Sequence, residues 1–140
     1  MPRRSAARRR VGAIAAAVVA VFAGSSSCAD PVQPGICAEP VYIRASSGSV
    51  PEFDWRPRCY LSGLTVNDAA GREMWTIYGG VGENELGPPV RYGAVAPGVT
   101  ETKSPEQLVP GVSYRVRVFW LVQGDGEIRW FWAGEASFEP

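Results

Sequence analysis

The clearest structural signal in this sequence is Leu108-Val109-Pro110-Gly111-Val112-Ser113-Tyr114-Arg115-Val116-Arg117-Val118. Its first half carries a Pro-Gly turn signal. Its second half alternates apolar and charged residues with a period of two, which is typical of a half-buried β-strand. Such a strand needs neighbouring strands beside it and a second layer over its apolar face. The segment therefore predicts a layered β-sheet protein.

Other segments of the chain have the same short, strand-like patterns, separated by glycine, proline and serine. Strands are predicted at residues 41–45, 52–56, 60–66, 73–78 and 90–95, followed by the strand from Tyr114 and a last strand that forms a hairpin with it. Ser104-Pro105-Glu106-Gln107 predicts one helical turn, because a serine N-cap precedes a proline at the first helical position. Seven short strands without a long helix predict an all-β fold, a seven-stranded antiparallel β-sandwich.

The register of the final hairpin depends on the length of its loop. A two-residue Asp125-Gly126 loop would place Arg129 opposite Val122 on the inner face. A three-residue loop that includes Gly124 keeps apolar residues together, so we predict that loop. Its inward pairs are Val122 with Ile128, Trp120 with Trp130, and Val118 with Trp132. The predicted inward aromatic residues are Phe53, Trp55, Trp75, Trp120, Trp130 and Trp132.

Residues 1–27 have the pattern of an export signal. Basic residues 2–10 precede thirteen apolar residues at 11–23. Thirteen helical residues rise about 20 Å, less than the ~30 Å hydrocarbon core, so a signal peptide fits better than a permanent span. An uncleaved N-terminal anchor is the alternative. Residues 28–40 contain several prolines and predict a Pro-rich tether, which leaves residues 41–140 as the domain.

The small residues before Cys28, Gly24-Ser25-Ser26-Ser27, resemble the lipobox of bacterial lipoproteins. The resemblance implies a lipid on Cys28, a cell-envelope location and a membrane as partner through this N-terminal anchor. Cleavage by ordinary signal peptidase would instead release a secreted, soluble protein. With Cys28 acylated, Cys37 and Cys59 remain as a pair that can form a disulfide in an oxidising compartment. A free, buried Cys59 or a Cys28–Cys37 bridge is the alternative.

Charge and composition limit the classes of function that fit this sequence. From Cys28 onward the chain has nine basic and fourteen acidic residues, and this acidic balance argues against a nucleic-acid partner. The sequence has no histidine, the commonest general base and metal ligand. The acidic pairs fit a solvated surface better than a glycosidase site; they are Glu52/Asp54, Glu83/Glu85 and Asp125/Glu127. The sequence predicts a non-enzymatic protein without catalytic residues, cofactor or metal site, and a hydrolase is an unlikely alternative.

The domain resembles fibronectin type III and related immunoglobulin-like modules over residues 41–140. Leu108, Pro110, Gly111 and Tyr114 match the family's tyrosine corner, in which the tyrosine hydroxyl bonds back to the preceding backbone. Trp55 is similar to the tryptophan of the family's strand B. The resemblance implies a structural or binding module and no particular ligand.

A possible contact surface lies on the outer face of the final hairpin. It is predicted to comprise Arg117, Phe119, Leu121, Arg129 and Phe131. Apolar residues at solvent positions could bind a protein or stack against a sugar. The alternative is that the 79–103 loop or the N-terminal strand covers them. We therefore expect a cell-envelope lipoprotein with a structural or interaction module, or alternatively a secreted or surface carbohydrate-binding module.

Overall fold

The computed structural model describes residues 37, 39–79 and 85–140. The predicted signal peptide, Cys28 and most of the predicted tether lie outside the described residues. Within the described part the chain forms eight β-strands. They are β1 (Tyr42–Ala45), β2 (Glu52–Arg56), β3 (Gly63–Asp68), β4 (Glu73–Gly79), β5 (Val90–Arg91), β6 (Val99–Lys103), β7 (Tyr114–Gly124) and β8 (Glu127–Phe138). These residues contain no helix long and apolar enough to cross a membrane.

The strands form two antiparallel sheets, an arrangement compatible with a β-sandwich. One sheet has the order β1-β2-β5 and the other has the order β6-β4-β3-β7-β8. Residues of both sheets share one buried core; for example, Phe53 of β2 lies 5.2 Å from Phe138 of β8, ring centre to ring centre. Phe53, Trp55 and Trp75, all predicted to point inward, are fully buried. The predicted all-β class is confirmed.

The structure has eight strands rather than the predicted seven, and the additional strand is β6. Its sequence, Val-Thr-Glu-Thr-Lys, lacks an apolar stripe, and the strand lies at the edge of its sheet with its three central residues exposed. The predicted helical turn at residues 104–107 is wrong. The backbone N–H of Glu106 instead donates to the Met74 carbonyl oxygen at 2.9 Å, so this segment runs beside β4 in an extended form.

A disulfide joins Cys37 to Cys59, as predicted, with 5.2 Å between the Cα atoms. The alternatives of a free Cys59 and a Cys28–Cys37 bridge are therefore wrong. The indole Nε1–H of Trp55 donates to the Cys59 carbonyl oxygen at 2.9 Å, which ties the bridge to the core. Closing a loop with a sequence separation of 22 stabilises the fold by about 3 kcal/mol in the chain-entropy model.

The turn before β7 is fastened by a side chain of β7 itself. The Tyr114 hydroxyl accepts a hydrogen bond from the Val109 backbone N–H at 3.0 Å. Gly111 has a φ of 75°, a left-handed conformation that glycine adopts without strain. Leu108 is buried below the turn.

The predicted register of the β7–β8 hairpin is wrong. The hairpin closes through a two-residue Asp125-Gly126 turn with φ values of 52° and 80°, so Val122 pairs with Arg129. Positive φ at both positions is the type I′ geometry, which matches the right-handed twist of paired strands. None of the three predicted inward pairs forms.

An extra residue on β8 reverses which side chains of the distal hairpin face the core. Val118 pairs with Gly134 and Phe119 with Trp132, so Ala133 has no partner of its own on β7. Because side chains alternate along a strand, one inserted residue turns every later side chain to the other face. Ala136 and Phe138 therefore point into the core while Trp130 and Trp132, predicted to be inward, point outward. They are 60% and 59% exposed.

Candidate ligand-binding face

The distal half of the hairpin builds an aromatic surface on the side of the five-stranded sheet that faces away from the core. We call this surface the outer aromatic face; it consists of Phe119, Leu121, Ile128, Trp130 and Trp132. β7 supplies the lower layer, because Phe119 and Leu121 are only 2% and 4% exposed. β8 supplies the upper layer, through the two exposed tryptophans and half-exposed Ile128.

Gly63 makes room for the lower layer. The Phe119 ring lies across Gly63 of the neighbouring strand, where any Cβ would collide with it. Trp130 packs on that ring at 4.7 Å with an interplanar angle of 43°, and Trp132 approaches it edge-on at 5.9 Å and 88°. The tryptophans of β8 therefore cover Phe119, whereas the sequence suggested residues 79–103 or the N-terminal strand as the cover.

A buried serine fixes the place where β7 extends past the start of β3. The Ser62 backbone N–H donates to the Phe119 carbonyl oxygen at 3.0 Å, and the Ser62 hydroxyl accepts from the Leu121 N–H at 2.8 Å. Ser62 is fully buried, so both hydrogen bonds are shielded from water. These two hydrogen bonds therefore attach the start of the outer aromatic face to the residue before β3.

A cleft of about 450 Å³ opens beside Trp130. Its lining combines the aromatic and aliphatic residues of the hairpin with polar residues of β4 and β6: Glu73, Thr76, Tyr78, Thr102, Phe119, Leu121, Ile128 and Trp130. Among the described residues that line the cleft, Glu73 is the one with an acidic side chain. The Thr76 hydroxyl lies 2.9 Å from the Thr65 hydroxyl, and these two hydroxyls hydrogen-bond across β3 and β4. The cleft can thus offer stacking, hydrogen bonding and one negative charge.

A smaller cleft of about 240 Å³ lies against Trp132 and the bulge, lined by Arg117, Trp132, Ala133, Gly134 and Glu135. The Arg117 guanidinium carbon lies 5.2 Å from the Trp132 ring centre, a cation–π distance. Its Nε–H donates to the Glu135 carboxylate at 3.1 Å. One face of Trp132 is therefore occupied by an oriented ion pair, whereas Trp130 borders the open cleft.

The structure divides the predicted contact surface into two. Arg117, Phe119 and Leu121 belong to or flank the outer aromatic face, but Arg129 and Phe131 do not. Pairing of Phe131 with Trp120 places both on the opposite side of the hairpin, where their rings stack at 6.1 Å. Arg129 pairs with Val122 on that side.

Sequence reasoning missed Trp130 and Trp132 as site residues, although two signals for their orientation were present. It also missed Glu73, for which the sequence carries no such signal. The Asp125-Gly126 dipeptide is the strongest short-range signal for a two-residue hairpin. A glycine inside a strand, here Gly134, indicates a bulge or a close backbone approach. Gly134 meets both conditions: it adjoins the bulged Ala133, and a Cβ on it would collide with the Val41 carbonyl oxygen.

The perturbed titrating groups lie outside both clefts. Backbone and side-chain hydrogen bonds from Arg72 lower the pKa of Asp68. A hydrogen bond from Lys103, together with the charge of Arg72, lowers the pKa of Glu106. Burial raises the pKa of Tyr92 to about 12, and its hydroxyl donates to the Glu106 carbonyl oxygen at 2.8 Å. These groups fasten the 104–107 segment to the β3–β4 turn and to the core.

No cluster of three or more histidine, cysteine or acidic residues suited to a metal ion occurs among the described residues. In comparisons with known proteins, no family model, no curated protein and no solved structure matches this chain.

Proposed function

We propose that this protein is an exported, non-enzymatic binding module of the cell envelope that holds its ligand on the outer aromatic face. One observation carries the proposal: Trp130 and Trp132 are 60% and 59% exposed on the outer side of the five-stranded sheet. Large exposed aromatic residues grouped on a rigid surface are typical of interaction sites, where they dominate the binding energy.

Carbohydrate is the ligand class that this face favours. Sugars present an apolar face of C–H groups and a rim of hydroxyls, so they suit an aromatic surface with polar groups at its border. Trp130 provides such a surface beside the hydroxyl groups of Thr76, Tyr78 and Thr102. Arg117 and Glu135 provide an oriented donor and acceptor beside Trp132. A protein ligand is the second candidate, supported by the apolar residues that the hairpin exposes on both sides.

The strand arrangement supports the fibronectin type III or immunoglobulin-like assignment for the module. With β1, β2 and β5 taken as strands A, B and E, and β3, β7 and β8 as C, F and G, each set lies together in one sheet. This is the division of strands between sheets in that architecture. Tyr114 then lies at the start of strand F with its hydroxyl bonded to Val109.

The proposed export and lipid anchor rest on the leader pattern and on Cys28. The Cys37–Cys59 disulfide supports them, because such bonds persist in oxidising compartments. Intact-mass measurement of the membrane-extracted protein tests the anchor. We expect a chain that begins at Cys28 with added acyl groups. An unmodified Cys28 or a different first residue would exclude lipidation.

Glycan-array binding by the purified domain tests the carbohydrate assignment. We expect saturable binding that Trp130→Ala reduces by about tenfold or more, since stacking on this ring supplies much of the binding energy. Phe131→Ala is the matched control, because Phe131 is the next residue on the same strand but faces the other side. Binding that survives Trp130→Ala and is lost with Phe131→Ala would refute the assigned face.

A further inference from the structure

We infer that the cleft beside Trp130 binds an oligosaccharide whose sugar units carry free, protonated amino groups. The inference rests on the proposed carbohydrate binding and adds the charge of the ligand to it. It follows from the joint presence of an exposed indole and an ionised carboxylate, Trp130 and Glu73, in one cleft.

The dimensions and lining of the cleft suit a short oligosaccharide. A volume of about 450 Å³ lies within the usual range of ligand sites. Phe119 and Leu121 are buried beneath the surface, and Trp130 stands exposed at the side. The apolar face of one pyranose can therefore stack on the indole, while neighbouring units extend along the cleft toward the threonine and tyrosine hydroxyls of β4 and β6.

Glu73 gives the cleft a negative charge, and the cations next to it in the chain and on β6 are held by other carboxylates. Arg115 lies on the same face two strands away, across Asn67. Arg72 precedes Glu73 in the chain but binds Asp68 at 3.1 Å and Glu106 at 2.8 Å. Lys103, which pairs with Thr76 across the β4–β6 edge, binds Glu106 at 2.8 Å. With both cations held by other carboxylates, the Glu73 carboxylate is available to an ammonium group of the ligand.

Two further features favour a cationic sugar over a neutral or acidic one. The rings of Trp130 and Tyr78 line the same cleft and attract cations through their π faces. The described residues also include twelve acidic and nine basic side chains, so the domain attracts positive ligands at long range. An acidic glycan would favour a basic residue in its cleft. The described lining of the cleft beside Trp130 contains none, and Arg117 lines the other cleft.

The test compares two ligands that differ only at the amino group. Oligomers of glucosamine and of N-acetylglucosamine, of equal length, are titrated calorimetrically into the whole domain at slightly acidic pH. We expect the amine form to bind about three- to fivefold more tightly, the range for a partly exposed ion pair. Glu73→Gln should abolish this difference and Glu73→Lys should reverse it. Glu52→Gln, on an exposed position of the other sheet, should preserve it.

Equal affinities for the two oligomers, or a preference that persists in Glu73→Gln, would overturn the inference. Tighter binding of the acetylated oligomer would also overturn it while leaving carbohydrate binding in place. If neither oligomer binds, and if no other glycan shows binding that depends on Trp130, the proposed carbohydrate function itself is wrong. Glu73 is exposed at the start of β4, so these variants should fold, and thermal unfolding checks this directly.

Discussion

The β7–β8 hairpin has two halves that the same two strands build in different ways. Near its base, Val116 and Val118 are fully buried in the core while Arg115 and Arg117 point to solvent. Beyond Val118, aromatic residues occupy both sides of the hairpin. The boundary lies at the extra residue, Ala133. The base of the hairpin thus contributes to folding, and its distal half carries exposed aromatic surface that the fold does not need for its core.

This difference can be tested most strongly by deleting Ala133. The deletion removes the bulge. When the base of the hairpin keeps its pairing, the remaining residues of β8 shift by one position, and their side chains turn to the other face. Phe119 and Leu121 would lose their cover, and exposing two such side chains costs about 3–6 kcal/mol of unfolding free energy. Urea denaturation measures the loss. Ala133→Gly keeps the residue count and should cost about 1 kcal/mol; equal stability of the deletion and this control would contradict the role of the bulge.

The base of the hairpin should be sensitive to loss of core volume. Val116→Ala removes two buried carbon groups and leaves a cavity, so we expect a loss of about 2–3 kcal/mol. Val122→Ala is the matched control on the distal half of the same strand, because Val122 is 43% exposed. Its effect should fall within about 0.5 kcal/mol. Similar losses for the two variants, measured by chemical denaturation, would remove the distinction between the halves.

Gly63→Ala, a substitution in β3, should alter the side-chain packing of the distal half of the hairpin. Its methyl group would displace the Phe119 ring, and overpacking of this kind costs about 1–3 kcal/mol. Because Trp130 packs on Phe119, its environment should change too, and Trp fluorescence and ligand affinity report this. Gly87→Ala offers a control with a close contact elsewhere, to Tyr60. An unchanged affinity in Gly63→Ala would show that Phe119 does not position Trp130.

A small effect on stability is expected for Trp132→Ala. More than half of this side chain is already in water, and its contact with Arg117 contributes about 0.5–1 kcal/mol at most. We therefore expect a change in unfolding free energy of about 1 kcal/mol or less, together with weaker ligand binding. A loss as large as that of Val116→Ala would mean that Trp132 serves the fold instead.

Local patterns in the sequence were sufficient for the parts of the fold that depend on alternation within one strand. β2 was predicted with its exact bounds, β4 to within one residue, and the buried Trp55 and Trp75 follow from the same pattern. The Cys37–Cys59 bridge was predicted by taking Cys28 as acylated, which leaves these two cysteines as a pair.

The outer aromatic face was harder to predict because register is a property of two strands together. Placing Val122 opposite Arg129 looked unfavourable while both were assumed to face the core. At the distal end that assumption fails, since Val122 is 43% exposed and Arg129 is exposed as well. Glu73 could not be assigned to a site from the sequence. Only the folded sheet places residues of β4 and β8 around one cleft, with β3 and β7 between them.

The disulfide has a mechanical consequence under the proposed lipid anchor, which would hold the domain at its N-terminal end. A pulling force applied there enters at Cys37 and passes through the covalent bridge to Cys59. β1 and β2 lie between these two cysteines in the chain, so the bridge shields both strands from the tension. The first strand under tension is then β3, which lies in the middle of the five-stranded sheet with a hydrogen-bonded neighbour on each side. Reduction of the bridge would transfer the force to β1, which has four residues and lies at a sheet edge.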